Sequence, residues 1–351
     1  MLSKDDLSQT GIYPVFSSES NNNGIIGETK VNPEFTVDEK KPYYVIFGDH
    51  TRSFNVAKES FSVADNVKVL LPLEKMSLSS VLFIISAWKK CVNNKGYARH
   101  WSIAKNVKFK LPTKNNKIDF DFMENFIAEL EAQRIAEMEA YLSVTGLKDT
   151  RLSPEEEQAL REFEEHEWHE FKMGTLFERE KTKKLPFKAD DLPKQMTDKY
   201  TLPCLTSSFR NQGLNYYAPK SGTTVLKNVI SIPSNSDVYR AYFQSNEFTV
   251  LSDAYAVRWA FTDTDLLPLQ YLFMVSCINK VTDLPIYSYK NKLGGWNIVQ
   301  NRLIQLPVKN DKPDYEFMRT LISAIQKLVI KDVVLYADKK IAATRTVVGK
   351  E

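Results

Sequence analysis

The chain has 351 residues, of which 43% are apolar and 26% are charged, and its formal net charge is +3. This length is enough for two domains, and this composition is typical of a globular protein with apolar cores. No apolar run approaches the roughly 18 residues of a membrane span, and the N-terminus does not resemble a secretory signal. The three cysteines are unclustered, which argues against a disulfide framework or a zinc site. We therefore expect a cytoplasmic protein without a membrane partner.

Residues 1–112 are predicted to form a β-rich domain. The segments YYVIFG and NVKVLLPL are rich in β-branched and aromatic residues and are bounded by Gly, Asn and Pro, as strands are. Ahead of them lies a polar loop, PVFSSESNNNG, at Pro14–Gly24. The glycine at its end is predicted to allow a positive φ or a close approach of the backbone to a ligand.

Residues 113–150 are predicted to form a long helix of about 25 residues. Asp119 is placed as its N-cap, as Asp314 is for the second long helix. Apolar residues from Phe122 to Leu142 recur at steps of three and four, as in a helix seam. Residues 151–167 then predict a short acidic helix, because Ser153 and Glu156 form a capping-box pattern around a proline.

Residues 168–308 and 309–351 repeat the domain and the helix. The loop PCLTSSFRNQG follows PVFSSESNNNG after 189 positions, and RLIQLPVKNDKPDYEFMRTLISAIQ aligns with VKFKLPTKNNKIDFDFMENFIAELE at an offset of 195. Collinear matches with a small drift in offset indicate a duplicated unit. Because each β-rich domain precedes a long apolar stripe, the two helices are predicted to pack on one another, although packing on each domain's own core is the alternative.

Charge is unevenly distributed along the chain. Residues 119–170 carry −12, whereas the remaining residues carry +15. Two basic regions flanking an acidic one favour a polyanionic partner. An acidic surface helix between two mildly basic domains is the alternative.

In these motifs the chain resembles the DNA specificity (S) subunit of type I restriction–modification systems and of the related type IIB enzymes. The motifs are the two polar loops, a tryptophan followed by Leu-Pro at the end of each domain, the helix starts DFDFMENFIAELE and DYEFMRTLISAIQ, and WHEFKMGTLFE at Trp168–Glu178. The resemblance implies an α+β fold, in which two target recognition domains alternate with two long helices that pack as an antiparallel coiled coil. One departure stands out: Trp168 precedes Pro203 by 35 positions, whereas only 13 residues precede Pro14. The first domain is therefore expected to lack its opening strand and turn; either the start lies upstream, or the gene is a fragment, or another element covers that edge.

The polar loops are predicted to carry the side chains that read bases. Asn and Gln pair with adenine, Arg pairs with guanine, and Ser or Thr pairs with either. Basic and aromatic residues ahead of each tryptophan, together with FGDHTRS, would contact phosphates and sugars. The alternatives are tight polar turns and solvated basic loops. The predicted DNA-binding residues are Ser17, Ser18, Asn21, Asn22, Asn23, His50, Arg52, Lys95, Tyr97, Arg99 and His100 in the first domain and Thr206, Ser207, Ser208, Arg210, Asn211, Gln212, Tyr287, Tyr289, Lys290, Asn291 and Lys292 in the second.

No motif predicts catalysis. His166 and His169 have a spacing that two metal ligands can use, but no Cys or His cluster completes a site, and neither a P-loop nor a dinucleotide loop is present. We therefore expect a non-enzymatic subunit with no metal or cofactor of its own.

By resemblance, the chain would bind double-stranded DNA at a bipartite target and recruit DNA adenine methyltransferase subunits, and through them a restriction endonuclease. S-adenosylmethionine and Mg²⁺ would be bound by those partners. The exposed apolar residues predicted for partner contact are Phe126, Met138, Tyr141 and Leu335. The alternatives are a truncated or decayed subunit that acts only as a scaffold, and an enzyme that modifies nucleic acid in its own right.

Overall fold

A computed structural model of the chain describes residues 2–96, 98–261 and 265–348. The described residues form two compact units. The first unit contains the chain up to Ala140 together with the residues from Lys340 onward, and the second unit is Tyr141–Lys339.

The first unit contains two three-stranded sheets and a short hairpin. Its elements are β1 (Tyr13–Phe16), β2 (Ile25–Thr29), β3 (Tyr44–Gly48), β4 (Phe54–Ala57), β5 (Ser62–Val63), β6 (Val67–Leu70), α1 (Leu78–Cys91), α2 (Trp101–Ala104), β7 (Thr113–Lys114), β8 (Lys117–Ile118) and the start of α3 (Phe120–Val144). In one sheet β1 lies between antiparallel β2 and parallel β5; in the other β3 lies between β4 and β6 and is antiparallel to both.

Burial explains why YYVIFG forms the central strand of its sheet. All five residues of β3 are buried, as expected for a short, continuous apolar run. Phe61 is fully buried, and its ring meets that of Phe16 edge to face at 5.4 Å. The helix after the sheet begins where Ser77 caps α1 by accepting a hydrogen bond from the Ser80 amide.

The second unit repeats this arrangement and adds strands. Its elements are α4 (Pro154–Glu162), β9 (Trp168–Lys172), α5 (Met173–Leu176), β10 (Phe177–Arg179), β11 (Leu202–Leu205), β12 (Leu214–Ala218), β13 (Val229–Pro233), β14 (Tyr242–Gln244), β15 (Thr249–Val250), β16 (Ala254–Trp259), α6 (Pro268–Thr282), α7 (Trp296–Val299), β17 (Leu303–Lys309), β18 (Lys312–Pro313) and most of α8 (Tyr315–Val348).

The strand orders confirm the duplication. The sheet β12-β11-β15 corresponds to β2-β1-β5, and β14-β13-β16 corresponds to β4-β3-β6. In the second unit β10 extends the latter sheet beyond β16, and a third sheet has the order β18-β17-β9. Among the described residues of the first unit, no strand corresponds to β9 or β10.

The predicted caps of the helices are confirmed. The Asp119 carboxylate accepts from the Phe122 amide at 3.0 Å, and the Asp314 carboxylate accepts from the Phe317 amide at 2.9 Å. The capping box of α4 is formed as predicted, with Ser153 and Glu156 each accepting from the other's amide.

The predicted helix seam is only partly correct. Phe122 and Phe126 pack on the ring of Phe83 in α1, at centroid distances of 6.3 Å and 5.6 Å. This part of α3 therefore packs on its own domain, because an apolar stripe does not specify which neighbour buries it.

In the second unit the chain after α3 runs antiparallel to α8. The ammonium of Lys148 lies 4.0 Å from the carboxylate of Asp338, whereas Lys327, farther back along α8, donates to the carbonyl of Arg151 at 2.9 Å. In the first unit Lys340 of α8 lies 3.7 Å from Glu131 of α3. No helix in the described parts of the chain is both long and apolar enough to cross a membrane.

Candidate nucleic-acid interface

The two polar loops contain the same rare backbone conformation. Asn22 and Asn23 have φ of 46° and 52°, and Asn211 and Gln212 have φ of 47° and 54°. In each loop a glycine with positive φ follows, as predicted. Left-handed backbone costs a residue other than glycine about 1–2 kcal/mol, so the surrounding structure must hold both turns in place.

Hydrogen bonds to the backbone hold each turn closed. The Ser17 amide donates to the carbonyl of Gly24 at 2.8 Å. At the corresponding place in the second unit, the Thr206 amide donates to the carbonyl of Gly213 at 2.9 Å. The strand before each loop has an irregular register at its end, and such bulges re-aim the chain.

Both glycines also have little room for a side chain. A Cβ atom on Gly24 would lie 2.6 Å from the side-chain amide nitrogen of Asn55, which would have to move, and one on Gly213 would lie 3.0 Å from the Thr206 carbonyl oxygen. The side chains at the tips remain exposed, namely Asn21, Asn22, Asn23, Arg210, Asn211 and Gln212.

In the first unit the three predicted segments meet at one polar cavity of about 910 Å³. It is lined by Ser17, Ser18, Glu19, Ser20, Asn21, His50, Thr51, Arg52, Asp65, Asn66, Asn94 and Gly96. The Ser18 hydroxyl accepts from the His50 amide at 2.8 Å, and the Ser53 hydroxyl donates to the Glu19 carbonyl at 3.3 Å. The loop after β3 is thereby joined to the amide-rich loop.

His100 is a positioning residue, and its prediction as a DNA contact is wrong. The side chain is 0% exposed. Its Nε2 accepts from the Lys95 amide at 3.1 Å, and its Nδ1 lies 3.0 Å from the Asp49 carbonyl oxygen. Since one ring nitrogen must accept and the other must donate, these contacts require the neutral tautomer protonated on Nδ1.

Asp49 makes further hydrogen bonds to the segment that contains His100, and we call the contacts of these two residues the clamp. Its carbonyl accepts from the His100 amide at 2.9 Å, and its carboxylate accepts from the Trp101 amide at 2.7 Å. The clamp connects the loop after β3 to the segment before α2, so both are held at the rim of the cavity. Arg52 has a φ of 58° and donates to the carbonyl of Val92 at 2.7 Å, which fixes its guanidinium at the same rim.

The corresponding segments meet in the second unit. The Ser236 hydroxyl donates to the Ser207 carbonyl at 2.9 Å, and the Tyr289 amide donates to the Asp237 carboxylate at 2.8 Å. The Asp253 carboxylate accepts from both the amide and the hydroxyl of Ser207, at 3.1 Å and 2.8 Å. The amide-rich loop, the loop after β13 and the segment before α7 thus form one connected surface.

Two strand residues donate hydrogen bonds to backbone carbonyls at the tip of the second loop. The hydroxyl of Tyr242 donates to the carbonyl of Phe209 at 3.0 Å, and the side-chain amide of Gln244 donates to the carbonyl of Gln212 at 3.3 Å. Burial raises the pKa of Tyr242, so this phenol remains a neutral hydrogen-bond donor at ordinary pH.

The residues before α7 divide into two groups. Tyr287 is half-buried, packs edge to face on Tyr239 at 6.0 Å and accepts a hydrogen bond from Arg302, which is a structural role. The next residues are exposed and remain predicted contacts: Tyr289, Lys290, Asn291 and Lys292. In the first unit Lys95 and Arg99 are exposed, and Tyr97 lies outside the described residues.

The sequence analysis missed Asp49, Asn66, Asn94, Ser236 and Asp237. Asn66 and Asn94 line the cavity, whereas the others supply the hydrogen bonds that connect segments. The sequence did contain a signal for Ser236 and Asp237, because SNSD follows the buried strand VISIP just as GDHT follows YYVIF. For Asn94 the sequence offered no signal beyond a polar loop.

The histidine pair at the start of the second domain does not converge on one point. The His166 ring stacks on Phe317 at 3.9 Å, with its Nε2 3.8 Å from Asp314, whereas His169 contacts Glu167 at 2.9 Å. Within the described residues no group of three or more His, Cys, Asp or Glu side chains is arranged to hold a metal ion.

The residues predicted for partner contact lie at the surface of their helices. Phe126, Tyr141 and Leu335 are exposed, and Met138 is half-buried. Their role as a docking surface remains a prediction.

Comparisons with known proteins place this geometry in context. Residues 1–140 match the family model of the type I restriction modification DNA specificity domain. The specificity subunit S.BcgI of the type II restriction enzyme BgcI, from Heyndrickxia coagulans, is 22% identical over 310 residues, which span 85% of this chain and 83% of that protein.

Among solved structures, the S subunit of a type I restriction–modification system from M. genitalium is similar to this chain with a TM-score of 0.54 and 13% identity. The similarity extends over 99% of this chain and 89% of that one. It confirms the predicted α+β fold.

Proposed function

We propose that the two units of this chain read the two halves of a split duplex target, because residues 1–140 match the family model of the type I restriction modification DNA specificity domain and the second unit repeats the first. Specificity subunits are the non-catalytic, DNA-recognising components of these systems, so the prediction of a non-enzymatic chain is confirmed. The bipartite target and the individual contact residues are our proposal.

The observation that carries the proposal is the duplicated amide turn. Each unit presents Asn or Gln side chains on a strained left-handed turn, at the edge of a surface built from the same three segments. Amide groups pair with the adenine edge in the major groove, and Arg210 has the donor geometry for guanine. Strained backbone persists where a fixed geometry is needed, and a fixed geometry is what distinguishes one base edge from another.

Lysines and arginines around these turns supply the contacts that do not depend on sequence. Lys95 is exposed between Asn94 and Gly96, which line the cavity at the first turn, and Lys290 and Lys292 are connected to the second turn through Tyr289. Contacts of this type neutralise phosphates and fix the register of a protein on the duplex.

We further propose that the helices recruit DNA adenine methyltransferase subunits and, through them, a restriction endonuclease. The exposed apolar side chains Phe126, Tyr141 and Leu335 support this proposal, because exposed apolar surface on a helix favours association. In such an assembly S-adenosylmethionine and Mg²⁺ are held by the partners, and this chain supplies orientation on DNA.

The test measures DNA binding by the complex assembled with the neighbouring methyltransferase subunits, after mapping the methylated target. Asn23→Ala is expected to relax specificity in one half of the target, and Gln212→Ala in the other, each by about 1–3 kcal/mol. Gln9→Ala and Gln195→Ala, at exposed positions outside the loops, are the matched controls and should bind like the parent.

Loss of discrimination in the same half by both loop variants would contradict the assignment of one half to each unit. Binding that ignores both sequence and salt would favour the scaffold alternative, since phosphate contacts impose a steep salt dependence. Catalysis by the chain alone would favour the enzyme alternative.

A further inference from the structure

The amide-rich loop of the second unit carries an aromatic side chain at its tip. Phe209 lies between Ser208 and Arg210 in the sequence and is 51% exposed. At the offset of 189 that aligns the two loops, the first unit has Ser20 at this position. Both loops nevertheless contain the same left-handed turn and the same closing hydrogen bond. The turn therefore forms without an aromatic residue, and its course does not account for Phe209.

The backbone that carries Phe209 is fixed by the neighbouring sheet. The Phe209 carbonyl accepts from the Tyr242 hydroxyl at 3.0 Å, and the Gln212 carbonyl accepts from the side-chain amide of Gln244 at 3.3 Å. Tyr242 and Gln244 are two positions apart on β14, so they lie on one face of that strand. They hold the tip of the loop at both of its ends. The position of the Phe209 ring is thus tied to the positions of the polar side chains of the same tip.

An exposed phenyl ring on a DNA-binding loop gains free energy only where the DNA offers an apolar group. In the major groove that group is the C5-methyl group of thymine. The other apolar surface is the face of a base at an unstacked step, into which proteins insert side chains mainly from the minor groove.

The polar side chains of the tip decide between the two grooves. Asn211 and Gln212 have the donor and acceptor pair that matches adenine, and Arg210 has the donors that match guanine. Both of these base edges are distinguished in the major groove. Because Phe209 belongs to the same fixed tip, it enters the same groove, where thymine methyl groups are the apolar surface within reach.

We infer that Phe209 is a specificity-determining residue, which contacts the C5-methyl group of a thymine in the half of the target read by the second unit. This inference rests on the proposed function. It adds a requirement that amide and guanidinium groups do not impose, because hydrogen-bonding groups do not detect a methyl group. Ser20 at the corresponding position gives the first unit no apolar contact of this kind.

The test removes the methyl group from the DNA. The target is first mapped by its methylation, and its second half is defined as the half in which Gln212→Ala loses discrimination. Each thymine of that half is then replaced singly by deoxyuridine, which leaves base pairing unchanged, and binding by the complex assembled with the neighbouring methyltransferase subunits is measured. We expect one replacement to weaken binding by the parent about fourfold, the effect of one buried methyl group.

Two variants show whether Phe209 is the residue responsible. Phe209→Ser is expected to bind the thymine and deoxyuridine duplexes equally. It gives the second loop the residue that the first loop already has, so the turn is expected to form, and thermal denaturation of the full chain checks this. Met196→Ser is the matched control, because Met196 is 66% exposed and lies outside the loop; it should retain the fourfold sensitivity.

Three results would overturn the inference. The first is a second half with no thymine whose methyl group affects binding by the parent. The second is undiminished sensitivity in Phe209→Ser, which would mean that another residue contacts the methyl group. The third is 2-aminopurine in the second half that fluoresces brightly in the parent complex and weakly in that of Phe209→Ser, which would identify the ring as a wedge between bases.

Failure of this inference is distinguishable from failure of the proposed function. If the parent discriminates sequence in both halves while any of these three results is obtained, the proposed function stands and only the role of Phe209 is refuted. If the parent binds DNA without discriminating sequence, the proposed function is refuted and this inference with it.

Discussion

Gln212 combines a strained backbone with an exposed amide, and replacing it by glycine separates the two properties. Its φ of 54° lies in the left-handed region, which costs about 1–2 kcal/mol for a residue with a Cβ atom. Glycine adopts this region freely but loses about 0.5–1 kcal/mol more chain entropy on folding. Gln212→Gly is therefore expected to stabilise the second unit by about 0.5–1 kcal/mol, which raises its melting temperature by about 2 °C.

The same substitution is expected to damage recognition. The Gln212 carbonyl keeps its hydrogen bond from Gln244, so the course of the loop is preserved. The amide head is lost, and a bidentate contact to a base is worth about 1–3 kcal/mol of discrimination. We therefore expect a more stable protein that distinguishes the second half of its target about 5- to 150-fold less well.

Gln212→Ala is the matched variant, because alanine removes the amide but retains the strain. The assays are thermal denaturation of the full chain and competition binding of the assembled complex to duplexes altered in one half of the target. Equal loss of discrimination in both variants, with added stability only in the glycine variant, is the expected result. The reasoning is refuted if the glycine variant is no more stable than the alanine variant, or if both retain full discrimination.

Three other substitutions probe the framework. Burial acts to raise the pKa of the Glu156 carboxyl, but hydrogen bonds from Ser323 and Lys327 outweigh it and hold that pKa below its usual value. The ionised carboxylate therefore stabilises the folded state. This contribution is complete above the pKa of the unfolded chain and is lost as the pH falls through the pKa of the folded chain. Glu156→Gln should cost about 2 kcal/mol at pH 7 and progressively less as the pH is lowered below 4.5, as measured by urea denaturation across that range. His100→Ala should weaken binding to the first half-site more than to the second, as measured with duplexes altered in either half; equal weakening would contradict its local role. Lys290→Ala should reduce the slope of log Kobs against log salt by about one without changing base preference, and an unchanged slope would remove it from the phosphate contacts.

Features with a local cause were predictable from the sequence. The caps at Asp119, Ser153 and Asp314 depend on a few neighbouring residues, and the structure has them as expected. The duplication was predictable too, because collinear spacing survives while individual residues change. The left-handed turns were predicted only at their glycines, since Asn and Gln occur in many other conformations.

Features that depend on distant contacts were not predictable. His100 lies in a basic loop, and nothing near it in the sequence indicates that its buried ring contacts the carbonyl of Asp49, which is 51 positions earlier. Phe122 and Phe126 fit a helix seam as well as they fit a groove on α1, and only the position of Phe83 decides between the two. The sequence suggests that Tyr287 is an exposed aromatic residue, because Arg302, which donates a hydrogen bond to its hydroxyl, is 15 positions away along the chain.

The hydrogen bonds that shape the two candidate DNA-binding surfaces involve backbone atoms almost throughout. The closing bonds of the turns join the Ser17 amide to the Gly24 carbonyl and the Thr206 amide to the Gly213 carbonyl. Side chains at the tips can therefore be exchanged without changing the course of the backbone, apart from Asn22, whose side-chain amide donates to the carbonyl of Ile25 at the start of β2, at 3.2 Å. Under the proposed function, the residues that hold each loop are therefore separate from those that would read the base, so specificity could change while the fold does not.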